Sequence, residues 1–388
     1  MQTKRLLMLA YYYPPFAGVA SQRTSKFRKF LPEYGWEPIV YTVDERYYGH
    51  RVVRPSANNG TDNSVKRVRY LRFPGATIVM KLAHPLLALW FAIRHRRELD
   101  GVYMSGSPFH PFILTPLLTG VFRIPTVLDF RDSWSINHGY DGSRSTSLVA
   151  RFREKAFQSL ERISIRFATR AVFATSRLQS EYAELFPQWG RKFFTIHNGF
   201  DPEDIASVTP QRQFSETTLI LAGKFHLYTP EAVDTLMEVL QVTPDIAFVY
   251  VGEEHAIIED AARRHGVTER VKTLPFQPQK RVLALTAGAD IGLVTNGMVN
   301  GLGTKVFEYL ALGKPAICLV PEGSVIVSEF GQTAYVLVSH PPHTRQRITE
   351  LIQHALSAIG QPQAANLAPF DRKRNTGALA RLLNEIAG

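Results

Sequence analysis

The sequence predicts an α/β protein built from two open, parallel sheets. Three features carry that expectation. Short, nearly unbroken apolar runs recur along the chain, helical patterns fill the spaces between them, and a polar stretch with two prolines divides the 388 residues near the middle. Apolar runs without alternation suit strands buried on both faces. Strands separated by helices imply parallel pairing with crossover helices.

The strand candidates in the first half are Arg5–Tyr11, Pro38–Val43, Gly101–Met104, Thr126–Phe130, Ala171–Ala174 and Phe193–Ile196. In the second half they are Thr218–Ala222, Ile246–Val251, Val271–Leu274, Ile291–Val294, Ala316–Val320 and Ala334–Val338. Helical periodicity marks Ser21–Tyr34, Leu148–Phe167, Glu231–Val242, Glu254–His265, Gln279–Ala287 and Thr304–Leu312. Leu379, Leu382, Leu383 and Ile386 form one further stripe in the tail, after a polar connector at Gln361–Asn366. The expected division is a first domain over 1–200, a linker over 201–216 and a second domain over 217–369. A C-terminal helix over 370–388 follows.

Composition narrows the function classes. Hydrophobic residues are 45% and charged residues 20%, the balance of a folded globular protein. Cys318 is the only cysteine, which excludes an intramolecular disulfide framework or a cysteine-based zinc site. The opening MQTKRLLMLAYYYPPF reads as a buried first strand, since its apolar run is short and ends at Pro14–Pro15 without a small-residue cleavage site. Pro85–Ile93, followed by Arg94-His95-Arg96-Arg97, has two readings. It is a packed helix with a basic last turn, or a helix that dips into an anionic membrane surface. The formal charge of +11 favours anionic partners. Its dispersal, without a nucleic-acid motif, argues against nucleic acid.

Several chemistries lack their signature. The chain has no H-E-x-x-H, no D-x-D, no P-loop, no G-x-G-x-x-G after the first strand and no G-x-S-x-G. The histidines do not pair at metal spacing, and no metal or cofactor site is expected. Four other constellations remain. In the first loop, Gly18 can let backbone approach a ligand, Ser21 is placed to cap a helix and Arg23 sits in that helix's first turn. The second is Leu128-Asp129-Phe130-Arg131-Asp132-Ser133-Trp134, ending a strand. Asp132 lies just past the strand within reach of a ligand, Asp129 is a ligand or a brace, and His138 reads as a loop residue.

The third constellation is Asn300-Gly301-Leu302-Gly303-Thr304-Lys305-Val306-Phe307-Glu308. A helix starting near Thr304 would offer free N–H groups, a hydroxyl and the Lys305 charge to an anion. Glu308 lies one turn further on the same face, about 5 Å away. That pattern suits a diphosphate beside a ribose, or else Glu308 simply pairs with Lys305 at the surface. In the fourth, Gly223 and Lys224 end the second half's first strand. Asn198 begins a turn, Asn198-Gly199-Phe200-Asp201, at the hinge.

These pieces, in this order, resemble the retaining nucleotide-sugar glycosyltransferases of GT-B family 4 (glycosyl transferases group 1). The resemblance runs through YYYPPFAGVASQRTSKFRKFLPEYGW, LDFRDSW, HNGFD, LAGKF and GTKVFEYLALGKP, over essentially the whole chain. It implies two Rossmann-like lobes whose parallel sheets face a central cleft, with the C-terminal helix crossing back to the first. It implies that Glu308 binds the donor ribose, and that Lys224 and Lys305 hold the diphosphate with Gly223, Gly303 and Thr304. Gly18, Arg23 and Asn198 would line the donor site, and Asp132 would lie near the transferred sugar or acceptor. Two positions depart from the family pattern. Asn300 stands where a second glutamate is common, and Thr229 and Pro230 stand where a second lysine is common.

The implied activity is a metal-free hexosyltransferase reaction from a nucleoside-diphosphate sugar to a glycan or lipid-linked acceptor, of the bacterial surface-polysaccharide type. The implied location is cytoplasmic, peripheral on the inner face of the cytoplasmic membrane. The competing expectations are an inverting transferase or epimerase of the same fold, and a sugar-nucleotide-binding scaffold without activity.

Overall fold

The computed structural model describes residues 3–16, 18–49, 62–135, 148–331, 333–361 and 366–387. His138 and most of the connector 361–366 lie outside the described residues. The chain forms two compact units, Met1–Asn198 with Arg372–Gly388, and Gly199–Asp371.

The first lobe holds a seven-stranded, wholly parallel sheet. Its strands are β1 (Lys4–Leu9), β2 (Trp36–Val43), β3 (Val65–Val68), β4 (Gly101–Ser105), β5 (Thr126–Phe130), β6 (Arg170–Phe173) and β7 (Phe193–Thr195). Their spatial order is β3-β2-β1-β4-β5-β6-β7, so the direction of winding reverses between β1 and β4. Helices α1 (Val19–Phe30), α2 (Ala76–Arg94), α3 (Leu148–Phe167) and α4 (Ser176–Leu185) connect strands. One side of the sheet packs Ala88 and Ala92 of α2 with Phe112, Leu118 and Ile165. The other packs Phe27, Leu31 and Trp36 with Leu379 and Leu383 from the end of the chain.

The second lobe repeats the plan with six parallel strands in the order β10-β9-β8-β11-β12-β13. They are β8 (Thr217–Ala222), β9 (Ile246–Val251), β10 (Val271–Leu274), β11 (Ile291–Thr295), β12 (Ala316–Leu319) and β13 (Val336–Ser339). The winding reverses between β8 and β11. The helices are α5 (Pro202–Ala206), α6 (Pro230–Val242), α7 (His255–Arg264), α8 (Gln279–Gly288), α9 (Lys305–Ala311), α10 (Val325–Phe330) and α11 (Arg345–Ala358). Leu236 and Leu240 of α6 pack with Ile352 of α11 on one face of this sheet. Phe307 and Leu310 of α9 pack with Val282 and Leu285 of α8 on the other. The last helix, α12 (Arg372–Ile386), belongs to the first lobe, where the Trp36 indole donates to Asn384 Oδ1 at 3.2 Å.

All twelve apolar runs form strands, and β3 is a thirteenth. Its sequence, VKRV, is short and charged because it is an edge strand with Lys66 and Arg67 exposed. Charge protects an edge from further pairing and hides it from a search for apolar runs. The stretch 201–216 is bound to the second lobe. Asp201 caps α5 by accepting from Glu203 N at 2.9 Å, Gln211 N donates to Ala284 O at 2.8 Å and Arg212 pairs with Asp290.

Candidate functional site

In both lobes the candidate residues sit at the carboxyl ends of the parallel strands, where doubly wound sheets bind ligands near the reversal of strand order. In the second lobe, β8 ends at Ala222 and leads into Gly223 and Lys224. Gly223 has φ +146°, and its carbonyl accepts the Tyr250 hydroxyl at 2.8 Å. Gly252 fits beside it because it has no side chain, since a Cβ there would lie 2.4 Å from Gly223 O. The next three backbone amides, of Phe225, His226 and Leu227, donate to the Glu254 carboxylate at 2.6, 2.9 and 3.0 Å. Across the reversal, Thr295 Oγ1 at the end of β11 donates to Lys224 O at 2.5 Å. The Lys224 ammonium has no ion-pair partner among the described residues.

The loop from β11 to α9 is braced by Asn296, which is buried. Its Oδ1 accepts from Met298 N at 3.0 Å and its amide donates to Gly301 O. Gly303 and Thr304 then enter α9, which starts at Lys305. Thr304 is buried and its hydroxyl makes no capping bond to the helix.

Glu308 and Lys305 are directly joined. Lys305 Nζ lies 2.8 Å from Glu308 Oε2, and Gln279 Nε2 donates to Glu308 Oε1 at 2.6 Å. The Lys305–Glu308 pair considered from sequence therefore forms, but with its carboxylate buried instead of at the surface. Glu308 is only 3% exposed. Burial of a carboxylate requires such partners, because an unpaired buried charge is expensive. Asn300 stands in the same β11–α9 loop, half-buried.

In the first lobe the structure changes the role expected of Arg23. It was placed among donor-binding residues, yet it is buried and every guanidinium N–H is used inside the lobe. Nε and Nη2 fork onto Asp129 at 2.8 and 3.0 Å, Nη2 also reaches Ile196 O at 2.8 Å, and Nη1 reaches His197 O at 2.9 Å and Asn198 Oδ1 at 3.3 Å. Burial is the largest single influence on this charge and works against it, but Asp129 and Tyr103 together hold the guanidinium above its ordinary pKa. Tyr103 also donates to Asp129. Asp129 is thus a brace, and the network fixes Asn198, which is buried.

Asp132, by contrast, is exposed beyond the end of β5. Its neighbour Arg131 donates to Gly106 O and Ser107 O, joining the loops after β4 and β5. Gly18 is the cap of α1, and Ser21 lies inside the helix instead of capping it. The Ser21 hydroxyl donates to Phe16 O at 2.7 Å and Gly18 O at 3.0 Å, tying the first loop to the helix. Gln279, Tyr250, Glu254 and Asn296 were missed from sequence. Tyr250 and Glu254 act on the loop after β8, Gln279 on Glu308 in α9 and Asn296 within its own loop, and only the side-chain types, not the spacing, could have signalled them.

The family model for glycosyl transferases group 1 matches residues 213–366. The chain matches no curated protein. Among solved structures it is similar to Anabaena HepE, solved in complex with UDP and glucose, at 16% identity and TM-score 0.64, covering 98% of this chain and 100% of that one. It is similar to a glycosyltransferase from Rickettsia africae at 14% identity and TM-score 0.65, covering 100% and 99%. The UDP-GlcNAc 2-epimerase of Methanocaldococcus jannaschii aligns at 10% identity and TM-score 0.62, covering 98% and 99%. These likenesses show the fold, which is GT-B with two Rossmann-like lobes, and the second lobe carries the segment that matches glycosyl transferases group 1.

Proposed function

We propose that this chain is a glycosyltransferase that moves a hexosyl group, with retention, from a nucleoside-diphosphate sugar to a glycan or lipid-linked acceptor. The observation that carries the reading is the Lys305–Glu308–Gln279 cluster around the buried Glu308 carboxylate, inside the segment that matches glycosyl transferases group 1. A carboxylate can accept two hydrogen bonds from vicinal hydroxyls, as a ribose presents them. In the proposed donor complex the ribose takes over Glu308, and Lys305 turns to the diphosphate. Lys224, on the neighbouring strand end, supplies a second cation. Both ammonium groups stabilise the charge that develops on the leaving diphosphate, in place of a metal ion. Gly223, Gly303 and the backbone of Thr304 allow close approach. Asn300 faces the sugar side, and Asp132 and Gly18 serve the transferred sugar and acceptor. The UDP and glucose held by HepE support a uridine donor as the first to test.

The setting proposed is the bacterial cytoplasm, on the inner face of the cytoplasmic membrane, in the assembly of a surface polysaccharide. The test is a thermal-shift and calorimetric screen against UDP, GDP, ADP and their sugar conjugates. One nucleotide should raise the unfolding temperature. Glu308→Gln should weaken its binding roughly 10- to 100-fold, the value of a charged hydrogen-bonding partner. Unaltered affinity in that variant removes Glu308 from the site. The likeness to an epimerase favours one second reading, conversion of the sugar nucleotide itself. NMR of the product separates the two, because an epimerase changes the donor without any acceptor, and anomeric configuration reports retention. Nucleotide binding without turnover over many acceptors would mark a binding scaffold.

A further inference from the structure

Helix α2 buries one face and leaves the opposite face apolar. Ala76, Met80, His84, Ala88 and Ala92 point inward, a row at four-residue spacing. On the outside Ile78, Leu82, Leu86 and Trp90 form a second such row, exposed by 69, 71, 66 and 64%. That row runs about 18 Å along the helix. The helix of a globular domain ordinarily carries polar residues there. This helix has a mean hydropathy of 1.7 over its most apolar 18 residues and only 33% of that window is buried.

The row does not stand alone. The segment 110–121 packs between α2 and α3, and from it Leu117 and Val121 are exposed by 42 and 63%. An exposed apolar row like that of α2 marks an interaction surface.

Charge identifies the occupant. From Asn63 to Arg97 the chain has eight lysines and arginines and no aspartate or glutamate. Lys81, Arg94, Arg96 and Arg97 are exposed, and the last three follow Trp90 within two turns. An indole beside a basic cluster at the end of an apolar row suits the boundary between lipid headgroups and acyl chains. A second copy of this chain would bring the same cations against themselves across an isologous contact. Because α2 joins β3 to β4 of one parallel sheet, it lies on the bilayer instead of crossing it.

We propose that this face of the first lobe, centred on Ile78, Leu82, Leu86 and Trp90, docks on an anionic lipid bilayer. This deepens the membrane placement given above. It does not need the transferase reading, because binding is measured without donor or turnover.

The test is co-flotation of the full chain with vesicles of phosphatidylcholine alone, and of phosphatidylcholine mixed with phosphatidylglycerol. The chain should float with the mixed vesicles, less so at high salt, and not with the neutral ones. Leu82→Gln combined with Leu86→Gln should weaken that association about tenfold or more. Both side chains are largely exposed, so the variant keeps its core, and its unfolding temperature and nucleotide response should match the parent. Arg96→Glu with Arg97→Glu should give a similar loss. Absence of flotation in the parent chain overturns the assignment. So does undiminished flotation of the glutamine variant, or a concentration-dependent dimer that the same substitutions abolish.

Discussion

Arg23, expected to meet a ligand, spends its whole guanidinium on bracing its own lobe. It lies one turn into α1, close to a glycine-containing loop, and that position suggests a ligand. Its five N–H groups are instead shared between Asp129 and three acceptors at 196–198. Arg23→Ala would leave Asp129 as a buried charge and should cost about 3–5 kcal/mol, measured by denaturant unfolding. Arg23→Lys should recover little of it, because a single ammonium cannot reproduce the fork. A second residue-scale effect concerns pH. Burial pushes His84 down to about 3 from an ordinary value of 6.5. As pH falls below about 6.5 the unfolded chain takes up a proton at this site and the folded chain does not, so stability is lost. Between pH 7 and pH 5 that loss should be about 2 kcal/mol from His84. Burial lowers His110 to about 4, and it adds in the same direction. His84→Leu should flatten the stability profile over that range, and an unchanged slope would show that His84 titrates freely.

At the scale of elements, the strands were legible because burial on both faces demands apolar runs, and the edge strand β3 was hidden because an edge demands charge. The motif positions were legible too. Gly223, Lys224, Lys305 and Glu308 fall at strand ends and a helix start, which hydrophobic period alone locates. Their bracing was not legible. Glu254 receives three backbone amides from the loop after β8, and Asn296 holds the loop before α9. Such contacts depend on three-dimensional proximity between residues about thirty positions apart or on the path of an irregular loop, and periodicity carries neither. Glu254→Ala removes one acceptor from three amides at once. It should cost roughly 1–3 kcal/mol in unfolding experiments. It should also weaken nucleotide binding, because Lys224 begins the loop that Glu254 holds. Loss of stability with intact nucleotide affinity would separate the brace from the site.

Over the whole molecule, each lobe has its own sheet and its own cores on both faces of it, and residues 199–371 form one uninterrupted unit. The charged groups assigned to the donor nucleotide, Lys224, Lys305 and Glu308, all lie in that unit. Chains with separate cores commonly depart from two-state unfolding, and a ligand stabilises the unit to which it binds. Calorimetry should therefore resolve two transitions, of which a nucleotide raises the one belonging to the second lobe. At a hundredfold excess over Kd the gain is about 2.7 kcal/mol. For a lobe of this size that is a shift of roughly 5–10 °C. Limited proteolysis with mass spectrometry at temperatures between the two transitions would identify which lobe has opened. In Glu308→Gln both transitions should persist and the nucleotide-dependent shift should shrink. A shift confined to the first lobe's transition would place the nucleotide on the Arg23–Asp129 side of the chain and would overturn the assignment of the lysines. A single transition that moves as a whole would mean that the two cores unfold as one cooperative unit, and the location of the nucleotide would then be read from the variants alone.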